Sequence, residues 1–128
     1  MEISNKDFIS VVIPYFCRPD YLHRLIDSIH KYADMPFELL IHDDGSMDGS
    51  QPEVFNELYR TSTIVFDTGA PLGLSASINR LVKLSSSDCI LMMGADFELV
   101  RPYFKEIVDV LKHPYIGVLG GAACRGNK

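Results

Sequence analysis

Short apolar runs rich in β-branched residues alternate with amphipathic stretches along most of the chain, and this alternation most constrains the fold. Phe8-Ile9-Ser10-Val11-Val12-Ile13 reads as a buried strand stopped by Pro14. Leu22, Leu25, Ile26 and Ile29 then recur at i, i+3, i+4 and i+7, one face of a helix. Phe37 to His42 is a second strand, which runs into Asp43-Asp44-Gly45-Ser46. Ser50-Gln51-Pro52-Glu53 has capping-box spacing and predicts a helix start. Thr63 to Phe66 is a third strand, and Ser75 to Leu84 a helix. Cys89 to Met93 is a fourth strand, ended by Gly94. Pro102 opens a helix with Phe104, Ile107, Val108 and Leu111 on one face, and Tyr115 to Leu119 is a fifth strand. Strict alternation of this kind implies an α/β domain, a mostly parallel sheet with helices on both faces. Strands near residues 8–14, 37–42, 63–67, 88–93 and 115–119 are expected in the order 3-2-1-4, with the fifth beyond the fourth.

Composition excludes several function classes. The chain has 128 residues, enough for one domain with a core that needs no disulfide or metal. Lys plus Arg number 12 and Asp plus Glu 17, a net charge of −5, which opposes a general grip on nucleic acid or anionic lipid. Cys17, Cys89 and Cys124 are scattered, with no CxxC and no Cys/His cluster. A disulfide framework and a structural zinc site are therefore not expected, and a cytoplasmic setting fits. No apolar run approaches the ~20 residues of a membrane span. His23, His30, His42 and His113 have no second ligand at metal spacing and read as surface or packing residues.

Parallel α/β sheets bind ligands at the carboxyl ends of their strands, so the informative residues follow Ile13, Ile41, Phe66 and Met93. No GxGxxG and no GxxxxGK[ST] is present, which removes the common dinucleotide and P-loop fingerprints. Pro14-Tyr15-Phe16 places two aromatics after the first strand. They either pack over the first helix or offer a ring for a planar base to stack on. Asp43 and Asp44 are adjacent carboxylates with Gly45 behind them. They fit a turn with an N-cap, and they also fit a site for a cation or a polar ligand edge. Gly94-Ala95-Asp96-Phe97-Glu98 is an acidic loop at a strand end, open either to water or to a hard cation.

Taken in order, these blocks resemble the N-terminal half of a family 2 glycosyltransferase of the Rossmann-like GT-A fold. Val11 to Leu22 looks like that family's opening strand and loop. Phe37 to Ser50 is similar to its Asp-Asp-Gly-Ser-x-Asp-Gly turn. Gly73 to Asn79 looks like its Gly-x-x-x-Ala-Arg-Asn helix start, and Asp88 to Asp96 like the strand leading into its DxD motif. The likeness covers residues 8 to 98. It implies a nucleotide-diphosphate-sugar donor, UDP-linked, for inverting transfer. It implies that Phe16 stacks on the base, with Pro14 and Tyr15 beneath it. Asp44, next to Asp43, would hydrogen-bond the base, and Asn79 and Ala95 would join the donor-binding set. Asp96 would hold a divalent metal, Mg²⁺ or Mn²⁺, with Glu98 beside it.

The sequence departs from the pattern at four places. Gly94 stands where DxD has its first Asp, Cys17 where the family has Asn after the aromatic, and Ile78 where the helix start has Arg. Pro71 lies two residues before Gly73, where the family's Asn precedes that glycine. The resemblance further implies one donor-binding domain over residues 1–128, lacking the acceptor-binding half and the general base, and so inactive alone. An apolar C-terminal edge would then favour a homo-oligomer. Two alternatives stand beside this reading. One is a non-catalytic nucleotide-binding module. The other is a receiver-like signalling domain, which would need acids after the first strand and a Lys after the fifth.

Overall fold

The computed structural model describes residues 8–46, 63–66, 71–117 and 120. Strands β1 (Ile9–Tyr15), β2 (Phe37–Asp43), β3 (Thr63–Phe66) and β4 (Ile90–Met92) form one sheet in the order β3-β2-β1-β4. Every pairing is parallel, with Tyr15 opposite Asp43 and Val12 opposite both Leu40 and Met92. Helices α1 (Pro19–Tyr32), α2 (Leu74–Leu84) and α3 (Phe104–Leu111) complete the described elements. The expected strand order is thus found. The helix expected from Ser50 lies outside the described residues.

Side-chain alternation divides the core between two faces. Ile9, Val11, Ile13 and Tyr15 of β1 and Leu39 and Ile41 of β2 pack with α1 and α3 in the main core. Five residues of α1 are buried, among them Leu22, Leu25, Ile26 and Ile29. Each such aliphatic side chain contributes about 1.5–3 kcal/mol. Val12 and Leu40 point the other way and meet Leu81 of α2 in a much smaller cluster. On that second face the edge strand is bare, with Ile90 and Met92 exposed.

Buried serines tie the ends of the elements together. Ser10 Oγ donates to Glu38 Oε1 at 2.6 Å and accepts from Ser87 N at 3.1 Å. Ser28 Oγ of α1 accepts the Leu99 amide at 2.9 Å, anchoring the loop that follows β4.

Of the expected fifth strand, the described residues 115–117 are not in a strand. Residues 113–117 follow α3 as a turn, in which Ile116 N donates to His113 O at 3.0 Å. Tyr115 is 91% exposed. The Tyr115 and Ile116 amides both bond back to His113, so they are not offered to a sheet ladder. Val118 and Leu119 lie outside the described residues.

Candidate functional site

Pro14 shapes the site because it lacks an N–H. Along β1, Ser10 N donates to Cys89 O, and Val12 O accepts from Met93 N. Bonds toward β4 therefore alternate along β1, and the next one would belong to residue 14. Proline removes that donor, and the β1–β4 ladder ends there. Tyr15, by contrast, turns its carbonyl to β2 and accepts from Asp44 N at 2.9 Å. The carboxyl ends of β1 and β2 stay joined while β1 and β4 part. Chain order reverses between β1 and β4, the switch point at which such sheets take ligands.

Of the two aromatics at this end, the structure assigns opposite environments. Tyr15 shares the α1 face and is 1% exposed, so its ring is a core residue with no surface beneath a ligand. Phe16 is 50% exposed. Cys17 follows in the left-handed region with φ 54, and its amide donates to Ser46 Oγ at 2.7 Å. Asn tolerates that conformation better than most residues, which gives the family's Asn at this position a backbone reason.

The acidic turn is engaged on both carboxylates. Asp43 is buried and accepts the Ser46 amide on Oδ1 at 3.0 Å, closing the turn through Gly45 at φ 80. Asp44 reaches across the sheet end to the chain before α2. Its Oδ1 accepts Leu72 N at 2.7 Å and its Oδ2 accepts Gly73 N at 2.9 Å. Gly73 is the N-cap of α2, with φ 97 and ψ 166, a conformation open essentially to glycine alone. Two backbone donors thus converge on one carboxylate, and two of its roughly four lone-pair directions remain for a ligand.

The β4 side is sparser. Phe97 N donates to Gly94 O at 3.1 Å, so residues 94–97 form a turn. Asp96 is exposed on it, and Ala95 packs against the main core. A Cβ built on Gly94 would lie 2.9 Å from Asp96 Oδ1, so the carboxylate leans over the glycine. Glu98 turns away toward α1. It lines a groove of about 360 Å³ with Arg24, Asp27 and Lys31. Among the described residues no three His, Cys, Asp or Glu side chains converge on a metal position. The donor set fits a hard cation only as a shared one, held by Asp96 together with phosphate oxygens. Asn79 is exposed on α2.

His42, two residues before Asp44 and read from the sequence as a surface or packing residue, is the packing case. His42 is fully buried, and its Nδ1 is 2.6 Å from Ser77 Oγ of α2. Arg80 Nη1 lies 3.4 Å from its Nε2. One signal was present: His42 shares the strand period of Leu40, which puts it on the same face of β2.

The sequence pattern described as Glycosyl transferase family 2 matches residues 10–128. The chain belongs to that family. Over 119 residues it is 29% identical to the O-antigen biosynthesis protein RfbC of Myxococcus xanthus, which spans 88% of this chain and 9% of that protein. Its fold is similar to that of S. aureus TarS 1-349 in complex with UDP-GlcNAc, at TM-score 0.72 and 20% identity. That likeness covers 91% of this chain and 37% of TarS 1-349. It is also similar to the mannosyltransferase PcManGT from Pyrobaculum calidifontis in complex with GDP-Man and Mn²⁺. There the TM-score is 0.72 and the identity 19%, over 85% of this chain and 33% of that one. The family 2 glycosyltransferase chain therefore has the GT-A fold and spans a small part of RfbC and about a third of these enzymes. The receiver-like alternative is set aside by this match. No helix among the described residues is long and apolar enough to cross a membrane.

Proposed function

We propose that these 128 residues form the donor half of an inverting glycosyltransferase and bind a nucleoside-diphosphate sugar, with UDP as the nucleotide. One juxtaposition carries the reading. Phe16, half exposed, follows the end of β1, and Asp44 follows the adjacent end of β2, both beside the switch point. The ring offers a stacking face worth about 1–3 kcal/mol per base. The free lone pairs of Asp44 are acceptors for a base imide N–H. Asp96, across the gap at β4, lies where a diphosphate and its cation would be held, and bound metal would neutralise charge on the leaving diphosphate. The resemblance assigns Asn79 and Ala95 to the same donor-binding set, and Asp43 closes the turn that carries Asp44.

Transfer also needs a base aimed at an acceptor hydroxyl. Among the described residues, Asp43 and Asp44 accept backbone amides, Glu98 lines the groove beside α1, and Asp96 is the carboxylate assigned to the cation. We therefore assign the general base to none of the described carboxylates and read the described residues as a donor-binding unit. Saturation-transfer NMR with UDP, GDP and ADP tests the reading. Uridine ring protons should saturate most strongly, and equal signals from all three nucleotides would refute the base assignment.

Gly94 supports a second reading, a nucleotide-binding module without transfer chemistry. With one carboxylate in place of two, such a module would bind nucleotide equally well with and without Mn²⁺.

A further inference from the structure

The turn that carries Asp96 is held at both ends. On the β4 side, Met93 is buried, and its amide donates to Val12 O of β1 at 3.0 Å. On the other side, Leu99 is buried in the main core, and its amide donates to Ser28 Oγ of α1 at 2.9 Å. Asp96 stands midway, three residues after Met93 and three before Leu99. Between the two anchors the chain closes on itself, because Phe97 N donates to Gly94 O at 3.1 Å. The turn is therefore one unit, and its two end bonds decide where it sits.

The bond at Ser28 is an unusual one for a helix interior. A buried backbone N–H must find an acceptor, and Leu99 finds a side chain in place of a sheet ladder. A serine hydroxyl has one proton to give. Here it goes to Leu25 O, three residues back on α1, at 2.6 Å. That bond fixes the rotamer and leaves the lone pairs of Oγ for the Leu99 amide. Ser28 is 5% exposed, and its neighbours Leu25, Ile26 and Ile29 all lie in the main core. The acceptor is thus mounted on the most firmly packed helix of the structure.

Its consequence falls on Asp96. A Cβ built on Gly94 would lie 2.9 Å from Asp96 Oδ1, so the carboxylate lies over its own turn and moves with it. A hard cation shared between one carboxylate and phosphate oxygens tolerates little displacement of that carboxylate. Release of Leu99 from Ser28 would free one end of the turn while the other stayed on β1.

We propose that Ser28 is a positioning residue that acts through Leu99 to hold the Asp96 turn beside the switch point, and so sets cation affinity at the donor site. The part that concerns the cation rests on the function proposed above, but the anchoring of the turn does not.

The test uses the full 128-residue chain. In Ser28→Ala, hydrogen exchange at Leu99 and Phe97 should speed up about tenfold, the loss of one buried hydrogen bond. The Leu72 and Gly73 amides, bonded to Asp44, should keep their protection. Ser28→Thr keeps a hydroxyl able to bond the same carbonyl and should keep slow exchange. At fixed UDP, the Mn²⁺ concentration for half-saturation should rise about tenfold in Ser28→Ala, the low end of what a metal site loses with an outer-shell partner. UDP affinity measured in chelator should not change, because Phe16 and Asp44 are untouched. Equal weakening with and without Mn²⁺ would refute the positioning role, as would unchanged Leu99 exchange in a folded Ser28→Ala chain. One measurement on the unmodified protein stands even where a variant fails to fold. Coupling is reciprocal, so Mg²⁺ with UDP should slow Leu99 exchange, and UDP with chelator should not. Binding of both without any change at Leu99 would overturn the proposal. Faster Leu99 exchange in Ser28→Ala, with a parent that binds no UDP, would uphold the anchoring and refute the donor-site reading instead.

Discussion

Replacing Asp44 by Asn probes the clasp between the acidic turn and α2. The carboxylate accepts Leu72 N and Gly73 N, one on each oxygen, at 2.7 and 2.9 Å. Asparagine keeps one oxygen, and its NH₂ group faces the other backbone N–H, donor against donor. A hydrogen bond to a charged group is worth about 1.5–3 kcal/mol net, and an unpaired buried donor costs a further 1–3 kcal/mol or so. Leu72 is half exposed, so water can reach the stranded amide and reduce the second penalty. The expected loss is therefore about 2 kcal/mol, or roughly 6–10 °C in Tm for a chain of this size. Urea unfolding followed by circular dichroism measures it. The midpoint should fall at unchanged m, because neither end state changes compactness. An Asp44→Asn chain within about 0.5 kcal/mol of the parent, the usual range for surface changes, would show that the clasp bears no load.

Three further outcomes follow from the structure. Phe16→Ala should leave stability within about 0.5 kcal/mol, since the ring is half exposed, yet weaken UDP binding by about 1–3 kcal/mol in a calorimetric titration. Gly94→Asp should raise Mn²⁺ affinity in the presence of UDP, because it adds a carboxylate and the Asp96 oxygen in its way is the movable end of a side chain; electron paramagnetic resonance of bound Mn²⁺ reads this out. Burial pushes the Tyr103 hydroxyl above its ordinary value of 10.0, and Arg101 lowers it in part. The folded state then prefers the protonated phenol, so its contribution is fully present below pH 10.0 and is lost as pH rises through the folded value; Tyr103→Phe should flatten that alkaline loss in a urea series.

How much of this could be read in the sequence depends on how local each cause is. β1, β2 and α1 were legible because their apolar periods are long and their ends carry Pro14, Gly45 and Pro19. The period also contained the fate of Tyr15. Ile9, Val11 and Ile13 set the buried face, and counting two residues on from Ile13 puts Tyr15 on it and Phe16 off it. Tyr115 to Gly117 shows the opposite case, where a short apolar stretch yielded to bonds made within a few residues. The Asp44 clasp and the His42–Ser77 bond join residues 28 to 35 apart in the chain. No periodicity encodes such pairings, because they arise only once β2 and α2 are packed together. Asp96 and Glu98 are two residues apart, yet the turn at 94–97 sends Glu98 into the groove beside α1.

The central claim is that this chain holds a nucleotide donor through Phe16 and Asp44, with a cation shared between Asp96 and the diphosphate. Calorimetric titration of UDP into the 128-residue chain, with Mn²⁺ and with a chelator, tests it most directly. Binding should be saturable with Mn²⁺ and at least tenfold weaker without it, while Mn²⁺ alone should give no measurable heat. No binding of UDP in either condition, by a chain that is folded in the same buffer, would contradict the account.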